Sequence, residues 1–403
     1  MKKFNSFLFA VALVSSSLVF NACGEDEPTD NGGSNNTSSE VVVTENIKAN
    51  TTWTKDKTWI LGGRIAVESG ATLTIEAGTV VKGQAGTGAN ATALIIARGG
   101  KLDAQGTASA PIIFTSVADE IKSGMIESPN LAPDFNGLWG GIIVLGKAPS
   151  SLKADVPETN IEGIPVTDPN GLYGGNDASD NSGVIKYISI RHGGANIGEG
   201  NEINGLTLGG VGNGTVIENV EVIANQDDGI EWFGGSVNVK NAVVWNAGDD
   251  AIDTDQAWSG TLDNFIVICG DETDHALEID GPEGSANAGH NLINGWVKGD
   301  AASELGDFRS NAQGSFKNIY FFNFDAGMKD GRGDLSLDAA TVGNYGTSLT
   351  FDKLEITTDS SNLSKIFKGG TVANATKVTA PTVGASTAPF AGWSWAAKVE
   401  AYK

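Results

Sequence analysis

The sequence predicts an all-β fold: a right-handed parallel β-helix, a single solenoid domain with two long loop excursions. Three observations carry this. Short β-type strings recur with glycine at their corners, three strings to a turn. One phrase repeats at solenoid spacing, as Asp227-Asp228-Gly229-Ile230-Glu231, Asp249-Asp250-Ala251-Ile252-Asp253 and Asp274-His275-Ala276-Leu277-Glu278, with steps of 22 and 25 residues. Beyond the N-terminus no segment has a helical period, so nothing is available to cover an ordinary parallel sheet.

The chain begins with a stretch that is not part of the coil. Residues 1–22 read as a secretory signal, with Lys2 and Lys3 before an apolar run too short to span a bilayer. Val19-Phe20-Asn21-Ala22-Cys23 resembles a bacterial lipobox, which implies lipidation at Cys23. Residues 23–45 read as a flexible tether, Gly24-Glu25-Asp26-Glu27 followed by Asn, Gly, Ser and Thr. Acidic residues directly after such a cysteine resemble the export signal of surface lipoproteins in Bacteroidetes-type bacteria, which implies an outer-membrane or cell-surface location.

The β-helix domain is expected over residues 46–403, with β strings beginning near Val41. Thr58-Trp59-Ile60-Leu61, Ile65-Ala66-Val67-Glu68, Thr72-Leu73-Thr74-Ile75 and Thr79-Val80-Val81-Lys82 form the first coils. Leu94-Ile95-Ile96-Ala97, Lys101-Leu102-Asp103-Ala104 and Ile112-Ile113-Phe114-Thr115 repeat them. Excursions follow at about 116–136 and 148–183, with Trp139 to Leu145 between them as one strand. Further on, Asn219, Asn241, Asn264, Asn294 and Asn318 recur at one place in successive turns and predict a structural asparagine ladder. The last strands are expected near 348–356 and 371–372. Trp393-Ser394-Trp395 is expected to cap the open end, and Trp245 to lie in the core. Cys269, inside Phe265-Ile266-Val267-Ile268-Cys269, reads as a buried, inert thiol; with Cys23 modified, no disulfide is expected.

Trp53-Thr54-Lys55 to Lys82, Arg191-His192-Gly193-Gly194 and residues 201–208 resemble the β-helix lipoproteins of Bacteroidetes, related to a leptospiral outer-membrane lipoprotein family. The resemblance covers nearly the whole chain. It implies a pectin-lyase-like fold at the cell surface and little about activity.

Composition narrows the partners. The chain of 403 residues has a net charge of -23, and loss of Lys2 and Lys3 with the signal makes it more negative still. Such a chain repels nucleic acid and anionic lipid surfaces; cations, sugars and proteins remain, including an outer-membrane transporter partner. The repeated phrase concentrates the charge. By phase, Ile230, Ile252 and Leu277 point inward, while Glu231, Asp253 and Glu278 form an outward file flanked by Phe233, Asp255 and Asp280. Like charges stacked about 4.8 Å apart repel and require relief. A cation, raised pKa values, or basic side chains among Arg191, His192, Arg309, Lys329 and Arg332 would supply it.

Three readings of this patch stay open. A hard cation, Ca²⁺ in particular, would use Glu231, Asp253, Asp255, Glu278 and Asp280. A polysaccharide-degrading site of the polygalacturonase or lyase type is implied by resemblance. Asp228, Asp249, Asp250, His275 and Arg309 fall in the order of the polygalacturonase residues, which implies Asp228, Asp249 and Asp250 for the acid/base work of an inverting site and His275 and Arg309 for support. The flanking glycines and the accompanying lysine of that motif are missing. In the third reading the corner aspartates cap turns and the outer carboxylates are solvated. Phe233 and Trp258 are the candidate stacking surfaces for a ligand. No zinc-type cluster, nucleophile elbow or phosphate loop is present in the sequence.

Overall fold

Parallel strands stack in register into two long ladders, one of fifteen strands and one of nine. They form the right-handed parallel β-helix that the periodicity predicts. The structure, a computed structural model, describes residues 39–197, 203–300, 303–324 and 334–403. The signal, Cys23, Lys329 and Arg332 lie outside the described residues.

The register explains how coils of unequal length stay aligned. In the early coils two separate strands, Lys101–Gln105 and Ile112–Ser116, occupy two faces. From Gly183–Arg191 onward one longer strand carries both: its first half pairs with 102–105 and its second with 112–114. A residue in the left-handed region bends each such strand. The bends are Tyr187 (φ 50°), Asn219 (59°), Asn241 (58°), Asn264 (62°), Asn294 (60°), Asn318 (56°) and Lys353 (54°). Asparagine tolerates that region better than other side chains bearing Cβ, which is why it recurs there. Its amide then links the coils. Asn241 Nδ2 donates to Asn219 Oδ1 at 2.9 Å, Asn264 to Asn241 at 2.8 Å and Asn318 to Asn294 at 3.1 Å. At the one break, Asn294 donates to Asp263 instead, at 2.8 Å.

Inside, identical columns of apolar residues stack. Leu94, Ile142, Leu206, Ile230, Ile252 and Leu277 form one such column, all in register and buried. Trp232 stacks on Trp258 at 4.6 Å, and Trp258 on His290 at 4.8 Å. Burial pushes the His290 pKa down to about 3, so it packs as a neutral ring. Cys269 is buried and free; burial pushes its thiol up to about 12, as expected of an inert side chain.

Several expectations need correction. The strand at Ser39–Val43 already pairs with Lys57–Leu61, so the coil starts inside the stretch expected to be tether. Of Trp139 to Leu145 only Ile142–Leu145 is strand; Trp139 is buried and donates its Nε1–H to the Arg191 carbonyl at 2.7 Å. Thr371 and Val372 lie in a 3₁₀ turn, and the last strand is Ala375–Lys377.

The largest difference is at the C-terminus, which lies along the outer face of the larger sheet. That face bears Val243, Trp245, Ile266 and Trp296, apolar surface that needs a cover. Trp395 packs edge-on against Trp245 at 5.9 Å, so Trp245 is half-buried outside the coil, not in its core. Buried Glu221 holds the segment down, accepting from Ser394 Oγ at 2.6 Å and Ala396 N at 3.0 Å. The single turn Trp395–Lys398 is the one α-helix among the described residues, and none of these residues forms a helix able to cross a membrane.

The ladder makes a prediction. Asn241→Ala removes two amide hydrogen bonds and places Cβ-bearing alanine in the left-handed region, a loss of about 2–4 kcal/mol. Asn241→Gly keeps the backbone and should lose less. Melting temperatures of the two variants decide it; equal losses would mean that conformation plays no part.

Candidate functional site

The acidic phrases lie on consecutive strands of the nine-stranded sheet: Ile230–Phe233, Ile252–Asp255, Leu277–Asp280 and Gly306–Arg309. Their register stacks Glu231 on Asp253, Asp253 on Glu278 and Glu278 on Asp307. The outward file therefore exists and is one member longer than expected. Its members are not freely solvated, however: Glu231 is 5% exposed, Asp253 7% and Glu278 7%.

A second file runs beside it at the coil corner. Asp228 Oδ1 accepts from the Asp250 backbone N–H at 2.9 Å, and Asp250 Oδ1 accepts from the His275 N–H at 2.8 Å. Each carboxylate thus caps the next coil, as the structural reading of the corners requires. The same Asp250 oxygen also lies 2.8 Å from His275 Nδ1. His275 continues to Glu304, to which it is bridged in parallel. Asp227, Asp249 and Asp274 join them, and Glu162 reaches in from the second loop excursion. Together they enclose a cleft of about 500 Å³ lined by nine carboxylates, one histidine and one arginine.

The expected enzyme residues Asp228, Asp249, Asp250, His275 and Arg309 all line this one cleft. So do Glu231, Asp253 and Glu278 from the expected cation set. Asp280 lies beside it, bound to Arg309 Nε at 2.9 Å, and Asp255 stands in register with Phe233 of the preceding coil. Arg309 also pairs with Glu278 and approaches Asp307 at 3.9 Å. It is the basic partner that the sequence called for. Arg191 and His192 are not, because they end a strand of the other sheet. Arg191 Nε donates to Ser189 Oγ at 2.8 Å beside Glu221, and His192 Nδ1 lies 2.6 Å from the Phe135 carbonyl.

Phe233 and Trp258 are not stacking platforms. Trp258 is 1% exposed and belongs to the interior aromatic column, its Nε1–H donating to the Val237 carbonyl at 3.0 Å. Phe233 does point outward, but Tyr173 of the second excursion packs edge-on against it at 6.2 Å. Loop packing of that kind leaves no periodic trace. Glu162 was missed for the same reason. Asp307 and Glu304 had a signal, one more step of the coil beyond Glu278 and His275. Asn204, whose Nδ2–H donates to Glu231, had the same signal in the other direction, one step of the coil before Asp228.

The charges are only partly compensated. Burial first, and then neighbouring carboxylates, raise Asp228, Glu231 and Asp253 well above the usual range. Burial and Glu283 push Asp255 up to about 6; burial and Asp255 push Asp280 up to about 7. For His275, burial opposes the charge, but the hydrogen bond and charge of Asp250 outweigh it and the pKa rises.

Several trios here have oxygen or nitrogen atoms within 4.8 Å of one another, among them Asp228–Glu231–Asp253 and Asp227–Asp228–Asp249. In the first, Asp253 Oδ1 is buried without a hydrogen-bond partner. An all-carboxylate set with an orphaned oxygen fits a hard cation. In the second trio, the short gap between Asp228 and Asp249 is nearer a retaining than an inverting carboxylate pair.

Coil, register and outward acidic cleft together define a parallel β-helix with a site on one face. The chain belongs to the family described as pectate-lyase-like β-helix domains, whose model matches residues 45–398. Among solved structures it is similar to the catalytic unit of a thermostable GH87 α-1,3-glucanase from Streptomyces thermodiastaticus strain HF3-3, at 11% identity and a TM-score of 0.30. The match covers 84% of this chain and 64% of that one. No curated protein matches the chain.

The raised carboxyls set the sign of a pH effect. Asp255 and Asp280 bind protons more tightly folded than unfolded, so their stabilisation is complete below about pH 4 and is lost as pH rises through about 6 and about 7. His275, also raised, adds in the same direction. Without added cations the melting temperature should fall between pH 5 and pH 8, and Asp255→Asn should flatten the early part of that fall. A melting temperature that rises over this interval would contradict the assignment.

Proposed function

We propose that this protein is a lipid-anchored cell-surface β-helix that binds its ligand through the acidic cleft, with a Ca²⁺-type cation held by Asp228, Glu231 and Asp253. One observation carries the reading: Asp253 Oδ1 lies buried and unpartnered between stacked carboxylates. Burial and the neighbouring carboxylates oppose ionisation of Asp253, and a hard cation bound among them stabilises the ionised form directly. The apolar N-terminal run and Cys23 support the anchor, and the acidic residues after Cys23 support surface display. Such a protein would serve capture or adhesion beside an outer-membrane transporter.

Titration of the full-length protein with Ca²⁺ at pH 7.5 should raise its melting temperature. A hundredfold excess over Kd contributes about 2.7 kcal/mol. Asp253→Asn should abolish the shift. An unchanged melting temperature in Ca²⁺ and in chelator would sink the proposal.

A second reading has its own observation. Asp228, Asp249, Asp250, His275 and Arg309 line the same cleft, which supports a polysaccharide-degrading enzyme. In that case burial keeps Asp228 protonated as the acid, while Asp249 or Asp250 acts as the carboxylate. Products released from a polysaccharide panel, and lost in Asp250→Asn, would decide for catalysis over binding.

A further inference from the structure

The cleft selects by charge and by the kind of hydrogen bond it can make. Its lining offers nine carboxylates, all acceptors when ionised. Its basic side chains are already engaged: Arg309 holds Glu278 and Asp280, and His275 holds Asp250. A uronate or other anionic glycan would bring more charge of the same sign. A neutral glycan needs donors for its ring and glycosidic oxygens, and it gains most from an aromatic platform. The rings that the sequence offered, Phe233 and Trp258, are buried elsewhere.

One divalent ion does not span the arrangement. The file Glu231–Asp253–Glu278–Asp307 crosses four coils, about 14 Å at a rise of about 4.8 Å per coil. Beside it Asp228, Asp250, His275 and Glu304 rise in step. The orphaned Asp253 Oδ1 sits within this double file and needs a donor or a cation. An ammonium group supplies three donors, a positive charge and no acceptor.

We infer that the organic ligand of this cleft is a poly-ammonium compound, extended along the coil axis with charged nitrogens spaced to meet successive rungs. Two sources share that chemistry, a linear polyamine and an oligomer of unacetylated amino sugar. The inference rests on the acidic cleft being a cation-binding site, and it identifies the class of ligand.

The test uses the full-length protein, calorimetric titration and three probes at matched ionic strength: spermine, a β-1,4-linked glucosamine tetramer and n-butylamine. At least one of the first two should bind with one-to-one stoichiometry and at least tenfold more tightly than butylamine. Whichever binds names the source. Ca²⁺ and an ammonium group are alternative occupants of the Asp253 end, so Ca²⁺ should compete with it. Asp253→Asn should weaken it at least tenfold, and Glu120→Gln, an exposed carboxylate on another loop, should leave it unchanged. The melting curve of Asp253→Asn shows whether that variant folds; if it does not, competition with Ca²⁺ on the wild-type protein decides. If Ca²⁺ binds but neither polyvalent probe exceeds butylamine, the poly-ammonium inference is wrong and the cation site stands. If Ca²⁺ and the amines all fail to bind, both fall.

Discussion

In-register parallel pairing places each side chain directly above its counterpart one coil earlier, and most features of this molecule follow from that constraint. Where the repeated residue is apolar, stacking builds a continuous core, as in the column from Leu94 to Leu277. Where it is asparagine, stacking supplies each amide with a partner and fixes the bend between two faces. Where it is a carboxylate, the same geometry brings like charges together in a partly dry cleft. The fold gives the first two arrangements stability at no electrostatic penalty. The third is unfavourable unless a compensating charge or proton relieves it.

The corner aspartates show how one residue can serve both ends. Asp228 and Asp250 each use one oxygen to cap the backbone of the next coil, which any solenoid corner can require. Both also line the cleft, and Asp250 orients His275. A capping role therefore does not remove them from the chemistry of the site. It fixes their positions, because a carboxylate held by a backbone N–H cannot swing away from an unfavourable neighbour.

What the sequence reveals divides along the same line. The fold, the inward column, the outward file and the asparagine ladder were legible because a short-range period encodes each of them. Asp307 extends the file by the same rule. Features that depend on segments far apart in the chain were not legible. Tyr173 covers Phe233 from the second excursion, and Glu162 enters the cleft from the same excursion. Glu221 fastens a C-terminal turn that is more than 170 residues away. That turn covers an outer apolar face instead of capping the coil's end, packing with its neighbours on Val243, Trp245 and Ile266. Trp258 was misplaced because it follows the end of its strand, where strict alternation no longer applies.

The cleft is not electrostatically uniform along its length. Arg309 and His275 both act at its C-terminal end, on Glu278, Asp280, Asp307 and Asp250. At the other end burial and neighbouring carboxylates hold Asp228, Glu231 and Asp253 above the usual range. Glu231 accepts from the Asn204 amide, a neutral donor. Attraction for a cation therefore increases from the Arg309 end towards Asp253. A ligand charged at several points would bind in one direction, its densest positive charge set deepest at the Asp228–Glu231–Asp253 end. A single ion would settle there for the same reason.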